Sequence, residues 1–236
     1  MALAIFDLDN TLLAGDSDYL WGEFLVERGL VDQALYESEN ARFYEEYKRG
    51  CLDIAEFLQF ALAPLAAHPP EQLHAWREAF IQEKIQPILL PAARTLLDRH
   101  RSAGDTLMII TATNRFVTEP IASLYGIENL IATTPEMAND RYTGHFVGTP
   151  CFQGGKVIRL DEWLTQHQRD LSGSWFYSDS HNDLPLLNRV QHPVAVDPDE
   201  SLAEQASRRG WPIISLRNDA CPDHLEWVSS RREGIH

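Results

Sequence analysis

The chain predicts an α/β protein, a doubly wound parallel sheet interrupted early by a helical insert. Three observations predict it. An apolar run at the very N-terminus ends in two acids, Asp7 and Asp9. Between Leu13 and about Leu90 apolar residues recur only at helical spacing. Beyond Pro91 helical and strand patterns alternate, the signature of a parallel sheet wound with helices.

The elements follow in order. Ala4-Ile5-Phe6 reads as a buried strand, after which Asp16-Ser17-Asp18 marks a helix start. Tyr19, Leu20, Phe24 and Leu25, then Leu35, Phe43 and Tyr47, then Ile54, Phe57, Leu58 and Ala61, then Leu73, Trp76, Phe80 and Ile81 define about four helices. Gly29, Gly50 and His68-Pro69-Pro70 separate them. Next come a helix over 92–103, a buried strand over 106–111 and a helix over 117–125. Strands are expected near 130–134 and 142–147, followed by a helix over 156–167 and a strand over 175–178. The series ends with a short helix at 184–188, a strand at 193–196, a helix at 202–208 and a last strand at 212–216. The core then comprises residues 1–14 and 86–236, and the helical cap residues 15–85. The tail after Arg217 is polar and uninformative.

Composition bounds the function. With 236 residues, 44% of them apolar and 23% charged, the chain suits a soluble protein with one core and a smaller cap. No apolar run reaches the roughly 20 residues of a membrane span. A secretory signal is not expected either, because the first strand begins almost at Met1. The formal charge of −15 argues against nucleic acid, which needs a basic face. Cys51, Cys151 and Cys221 are odd in number and widely spaced, and read as reduced, buried thiols of a cytoplasmic protein.

The chemistry concentrates at strand ends. Asp7 and Asp9 fall on one side of an extended chain, where like charges repel unless a cation or proton joins them. Three strands end in polar residues, at Asp7-Leu8-Asp9, at Thr111 and at Ser178-Asp179. In open α/β sheets the ligand crevice lies beyond the carboxyl ends of the strands, so these residues can converge. Asp183 adds a fourth carboxylate one turn past Asp179. Lys156 follows Gly154-Gly155 and opens a helix, where a cation is unfavourable by roughly 0.3–1 kcal/mol. With several acids nearby, phosphate binding accounts for it better than a solvated lysine does. A calcium loop over 7–18 is disfavoured, since Leu12 replaces the obligatory glycine and Asp18 the final Glu. The nine histidines are scattered, which does not suit a zinc centre.

In these four motifs, Asp7-Leu8-Asp9-Asn10-Thr11, Thr111, Lys156 and Asp179-Ser180-His181-Asn182-Asp183, the chain resembles the haloacid dehalogenase superfamily of phosphohydrolases. The likeness covers essentially the whole chain and implies a Rossmann-like core with an inserted C1-type cap. The position of the insert resembles the phosphoserine-phosphatase-like branch, subfamily IB. Ile110-Thr111-Ala112-Thr113-Asn114-Arg115-Phe116 and Tyr177 to Pro185 look like a bacterial subgroup with members assigned as histidinol-phosphate phosphatases.

The resemblance implies roles for the residues. Asp7 is expected as nucleophile, forming an aspartyl-phosphate, and Asp9 as general acid and then base. Mg²⁺ is implied on Asp7, Asp179 and the Asp9 carbonyl, with Asp183 orienting the metal shell. Thr111 and Lys156, aided by the backbone N–H groups of Asn10 and Ala112, are expected to grip phosphoryl oxygens. Asn182 is expected to contact phosphate or water, and Asp16 the substrate. Arg115 is open between a substrate role and a first-turn role, and His181 reads as a hydrogen-bonding neighbour.

The insert resembles a lid that admits small molecules. Its aromatics Tyr19, Trp21, Phe24, Phe43, Tyr44 and Tyr47 read mainly as cap core, with one or two facing substrate. Acids such as Glu23, Glu27, Glu37, Glu39, Glu45 and Glu46 favour a cationic leaving group if they line the pocket. Phosphoserine would want an arginine as well, with Arg42, Lys48 and Arg49 as candidates. The expectation is a Mg²⁺-dependent phosphatase, monomeric or homodimeric, favouring histidinol phosphate over phosphoserine. A phosphotransferase or mutase using the same aspartyl-phosphate, and a non-catalytic phosphate-binding module, stand as alternatives.

Overall fold

The apolar run at the N-terminus forms the middle strand of a seven-stranded sheet in the computed structural model, which describes residues 2–217. The strands are β1 (Leu3–Phe6), β2 (Thr106–Asn114), β3 (Asn129–Ala138), β4 (Arg141–Val147), β5 (Trp175–Ser178), β6 (His192–Val196) and β7 (Ile213–Ile214). Their order is β4-β3-β2-β1-β5-β6-β7, and only the β3–β4 pair is antiparallel. The chain winds outward from β1 in both directions, so the switch point lies between β1 and β5.

Alternation along β1 divides the core into two layers. Ala4 and Phe6 join Ile109, Tyr177 and Val194 on the face covered by α5 (Pro91–Ser102) and α6 (Arg115–Leu124). Leu3 and Ile5 join Met108, Ile110 and Phe176 on the other face. That face is covered by α7 (Gly154–His167), the short α8 (Leu184–Leu187) and α9 (Glu200–Arg209).

Between β1 and α5 lie α1 (Ser17–Glu27), α2 (Gln33–Lys48), α3 (Ile54–Ala67) and α4 (Pro70–Phe80). The first three start at Asp16, Asp32 and Asp53, whose carboxylates accept backbone N–H groups of the first turn. The fourth starts with proline at its first position, where no N–H is needed. A π turn (Ile81–Ile85) and a 3₁₀ turn (Gln86–Ile88) lead back to the sheet. The two crossings run side by side: Leu13 bridges Leu89, and the Ala14 N–H donates to the Ile88 carbonyl at 2.9 Å. Trp21 ties the insert to the core, with its ring 5.2 Å from Phe80 and 5.7 Å from Phe116.

The α/β class and the four inserted helices are as expected. Three details differ. Strand β2 runs on through Thr113 and Asn114, which pair or pack beyond the last apolar residue. The last strand is only Ile213–Ile214. Cys51 is exposed rather than buried, because it sits in the surface turn between α2 and α3, whereas Cys151 is buried. Cys221 and the tail after Arg217 lie outside the described residues.

Candidate active site

Asp7 is the first residue beyond β1, and its N–H still donates to the Tyr177 carbonyl of β5 at 2.9 Å. It shares the parity of Leu3 and Ile5, which face α7, and its carboxylate meets Lys156 there at 2.9 Å. Lys156 also donates to the Asp183 carboxylate at 2.8 Å. Ser178 holds that carboxylate from beneath at 2.7 Å. The turn into α7 explains the glycine before Lys156: a Cβ on Gly155 would stand 2.0 Å from the Pro150 carbonyl oxygen. All three charged groups are buried. Burial pushes the Asp7 carboxyl up to about 7, although Lys156 pulls it down. Burial opposes the Lys156 charge, but Asp183 and Asp7 outweigh it and raise its pKa above the ordinary lysine value.

The chain does not stay extended to Asp9. It turns at Asn10, whose φ is 55°. Asp9 still reaches the same cavity as Asp7. One carboxylate oxygen accepts the Ser17 N–H at 2.6 Å, the other the Thr113 hydroxyl at 2.7 Å and that of Thr111 at 3.5 Å. Burial, then the Asp16 charge, pushes its carboxyl up to about 6. Asp179 stands beside the cavity, its carboxylate taking the Thr11 hydroxyl at 3.1 Å. Burial and the charges of Asp7 and Asp183 raise it well above the usual carboxylate range.

A cavity of about 120 Å³ opens over these groups. Asp7, Asp9, Thr111, Lys156 and Asp183 line its sheet side, and helices α1 to α3 its other side. The aromatic contribution is larger than expected: of the six named aromatics, only Phe24 is absent from the lining. Tyr36, Phe57, Phe60 and Phe152 join the others. None of the six named glutamates lines the cavity. They face outward, where Glu27 pairs with Lys84, Glu39 and Glu46 with Arg42, and Glu45 with Lys48. Arg42, Lys48 and Arg49 are likewise not in the lining, and Lys156 is the only cation among the described lining residues. Arg115 turns to the Leu130 carbonyl and Glu119, away from the cavity.

Two residues in the cavity wall are engaged otherwise than expected. Asn182 accepts from Gln153 at 2.9 Å and donates to the Tyr47 carbonyl at 3.2 Å, so it joins the core to α2. One Asp16 oxygen is used to cap α1, accepting from Asp18 and Tyr19 at 3.0 Å each. His181 is the hydrogen-bonding neighbour expected, bound to Asp199 at 2.8 Å. Sequence reasoning missed Asp18 and Thr113 as cavity residues. Asp18 looked like an ordinary first-turn acid. Thr113 has the parity of Thr111, a signal that becomes readable only once β2 is known to continue.

Among the described residues no group of three or more His, Cys, Asp or Glu side chains forms a ready metal cage. The donor chemistry nevertheless fits Mg²⁺, which commonly uses one or two carboxylates and keeps waters and substrate oxygens. Asp179 is partly buried with a hydroxyl partner and no ion pair in the structure, while Lys156 already serves two acids. The cluster therefore holds more negative charge than its own lysine balances.

A family model for haloacid dehalogenase-like hydrolases matches residues 4–188. The chain belongs to the haloacid dehalogenase-like hydrolases. This hydrolase is 46% identical over 219 residues to a histidinol-phosphatase of Neisseria meningitidis, covering 91% of the chain and 99% of that protein. It is 31% identical to the phosphoserine phosphatase SerB1 of Mycobacterium tuberculosis, over 92% of the chain and 71% of that protein. A crystal structure of a protein of unknown function from Bordetella pertussis Tohama I superposes with a TM-score of 0.86 at 46% identity. It covers 91% of this chain and 98% of that one. The expected enzyme class, a phosphatase of the haloacid dehalogenase type, is met. No helix among the described residues is long and apolar enough to cross a membrane.

Proposed function

We propose that this hydrolase removes the phosphoryl group from a small cationic phosphomonoester, with histidinol phosphate preferred to phosphoserine. Asp7 serves as nucleophile and Mg²⁺ as cofactor. The observation that carries the proposal is the composition of a single cavity lining. Asp7, Asp9, Thr111 and Lys156 share this lining with aromatic rings and the acids Asp16 and Asp18, and no arginine joins them. A substrate carboxylate would meet acids there, whereas an ammonium and a flat ring would find complementary groups. The identity to the Neisseria histidinol-phosphatase supports the same choice.

In the proposed reaction an Asp7 oxygen attacks phosphorus and the bond to the leaving oxygen breaks. Asp9, with a carboxyl near 6, delivers its proton to that oxygen. Asp9 then takes a proton from a water that attacks the aspartyl-phosphate, which returns Asp7 and frees inorganic phosphate. Lys156 and Thr111 bind phosphoryl oxygens, and Asp183 with Ser178 keeps the lysine in place. Mg²⁺ would be held by Asp7, Asp179 and the Asp9 carbonyl, and supplies the charge that lets a carboxylate approach a phosphate dianion. Residues 15–85 act as the cap, closing over the substrate and excluding water. The free thiols Cys51 and Cys151 suit a reducing compartment, which supports a cytoplasmic role.

The test is phosphate release from histidinol phosphate, phosphoserine and p-nitrophenyl phosphate, with Mg²⁺ and with chelator. Histidinol phosphate should have the highest kcat/KM, chelator should abolish turnover, and phosphate should appear stoichiometrically. A preference for phosphoserine, or activity untouched by chelation, would overturn the reading. Transfer of the phosphoryl group to an alcohol acceptor in place of water would instead identify a transferase.

Thermal stability should report the same cluster. Without divalent cation, the raised carboxyls of Asp7 and Asp9 keep protons in the folded state that the unfolded chain has lost. Where the folded state binds more protons, stability falls as pH rises, here across about pH 4 to 7. A cation that binds the ionised carboxylates offsets this loss. The gain in Tm on adding Mg²⁺ should therefore be larger at about pH 8 than at about pH 5. An equal gain at both pH values would speak against a metal bound to these acids.

A further inference from the structure

Helix α1 turns Asp18, Trp21, Gly22 and Leu25, at positions i, i+3, i+4 and i+7, to the cavity together with Tyr19. We propose that Asp18, steadied by Asn114, receives the ammonium of the leaving alcohol and so sets the preference for cationic over anionic phosphomonoesters. The proposal rests on the phosphatase reading above and names the residue that selects the substrate.

Three observations carry it. Asp18 accepts one hydrogen bond, from the Asn114 side-chain amide at 3.3 Å, and forms no ion pair in the structure. Its neighbour Asp16 is less free, with one oxygen holding two N–H groups of its own helix. Independently, Trp21 lies one turn further along the same face. Its indole N–H is buried without a hydrogen-bond partner. A buried donor left unpaired costs free energy unless a ligand atom satisfies it. An acceptor on the substrate's leaving group can do so, and Trp21 and Tyr36 contribute aromatic surface to the same lining. The lining thus holds a carboxylate without a cation and a donor without an acceptor. A leaving group that bears an ammonium and an acceptor nitrogen supplies both.

Asn114 also explains why the arrangement is stiff. Its amide oxygen caps α6 by accepting the Val117 N–H at 3.3 Å, and its amide nitrogen then points at Asp18. The end of β2 and the start of α1 are joined through this one side chain.

The experiment compares wild type, Asp18→Asn and Asp16→Asn on histidinol phosphate and on p-nitrophenyl phosphate, which carries no ammonium. Both substrates are assayed on the same preparation, so any loss of folded enzyme cancels in the ratio of their kcat/KM values. In Asp18→Asn that ratio should fall at least about tenfold, the scale of one lost charge-assisted hydrogen bond, with the loss expressed mainly in KM. An unchanged ratio in Asp18→Asn overturns the proposal, and so does a larger fall in Asp16→Asn. If wild type hydrolyses both substrates equally well, Asp18 is not a selector although the phosphatase reading stands. If wild type with Mg²⁺ hydrolyses neither, the phosphatase reading fails and this assignment falls with it.

Discussion

Replacing Asp7 by Asn should lower turnover of every phosphomonoester by about four orders of magnitude or more, the scale seen when a nucleophile is removed. An amide nitrogen or oxygen cannot form the acyl phosphate that a carboxylate forms. No other carboxylate can substitute. Asp183 is held by Lys156 and Ser178, Asp9 by Ser17 and Thr113, and Asp179 by Thr11. The fold should survive the change, because the Asp7 side chain adds no apolar burial and its N–H bond to Tyr177 is made by the backbone. Initial rates with Mg²⁺, together with circular dichroism of the variant, separate the two effects. A folded variant keeping a tenth of wild-type activity would mean that phosphorus is not attacked by Asp7.

The parts legible in the sequence are those whose cause is local. Strand β1 reads correctly because four consecutive apolar residues fill both faces of a buried strand. The insert reads as helices because helical spacing and Asp or Pro starts are properties of one segment. Asp7, Asp9 and Thr111 could be nominated because strand ends of a doubly wound sheet meet at its switch point, and Lys156 because a cation opening a helix near several acids calls for an anionic partner. The rest depends on partners distant in sequence. Asn182 looked like a phosphate contact, but its partners Gln153 and the Tyr47 carbonyl come from two other segments. Asp18 looked like a helix-dipole acid, and only the packing of α1 over the sheet turns it inward. The glutamates of α2 were read as possible pocket groups. Arg42 instead collects Glu39, Glu46 and Glu56 on the outer surface. Polarity marked the end of β2 too early because buried threonines and Asn114, which serve the site, are not apolar.

Lys156→Met should unfold more easily than wild type by about 3–5 kcal/mol, the cost of leaving buried charges without their partner. Methionine fills similar volume, so the loss reports charge rather than packing. The sign of the pH dependence follows from the groups left behind. In wild type the raised Lys156 pKa keeps the ammonium charged at acid and neutral pH, and its contribution is lost only as pH climbs through that raised value. In the variant Asp7 loses the one nearby charge that lowers its carboxyl, so its pKa rises further above the folded wild-type value of about 7. At about pH 5 the variant can hold Asp7 as the neutral acid at little cost. At about pH 8 it must either bury a bare carboxylate or take a proton from dilute solution, and the destabilisation is greatest. Urea unfolding at the two pH values in chelator measures the difference directly. A loss of stability that is the same at both would show that Lys156 holds the structure by its hydrocarbon stem, and that the buried acids are balanced by something other than this ammonium.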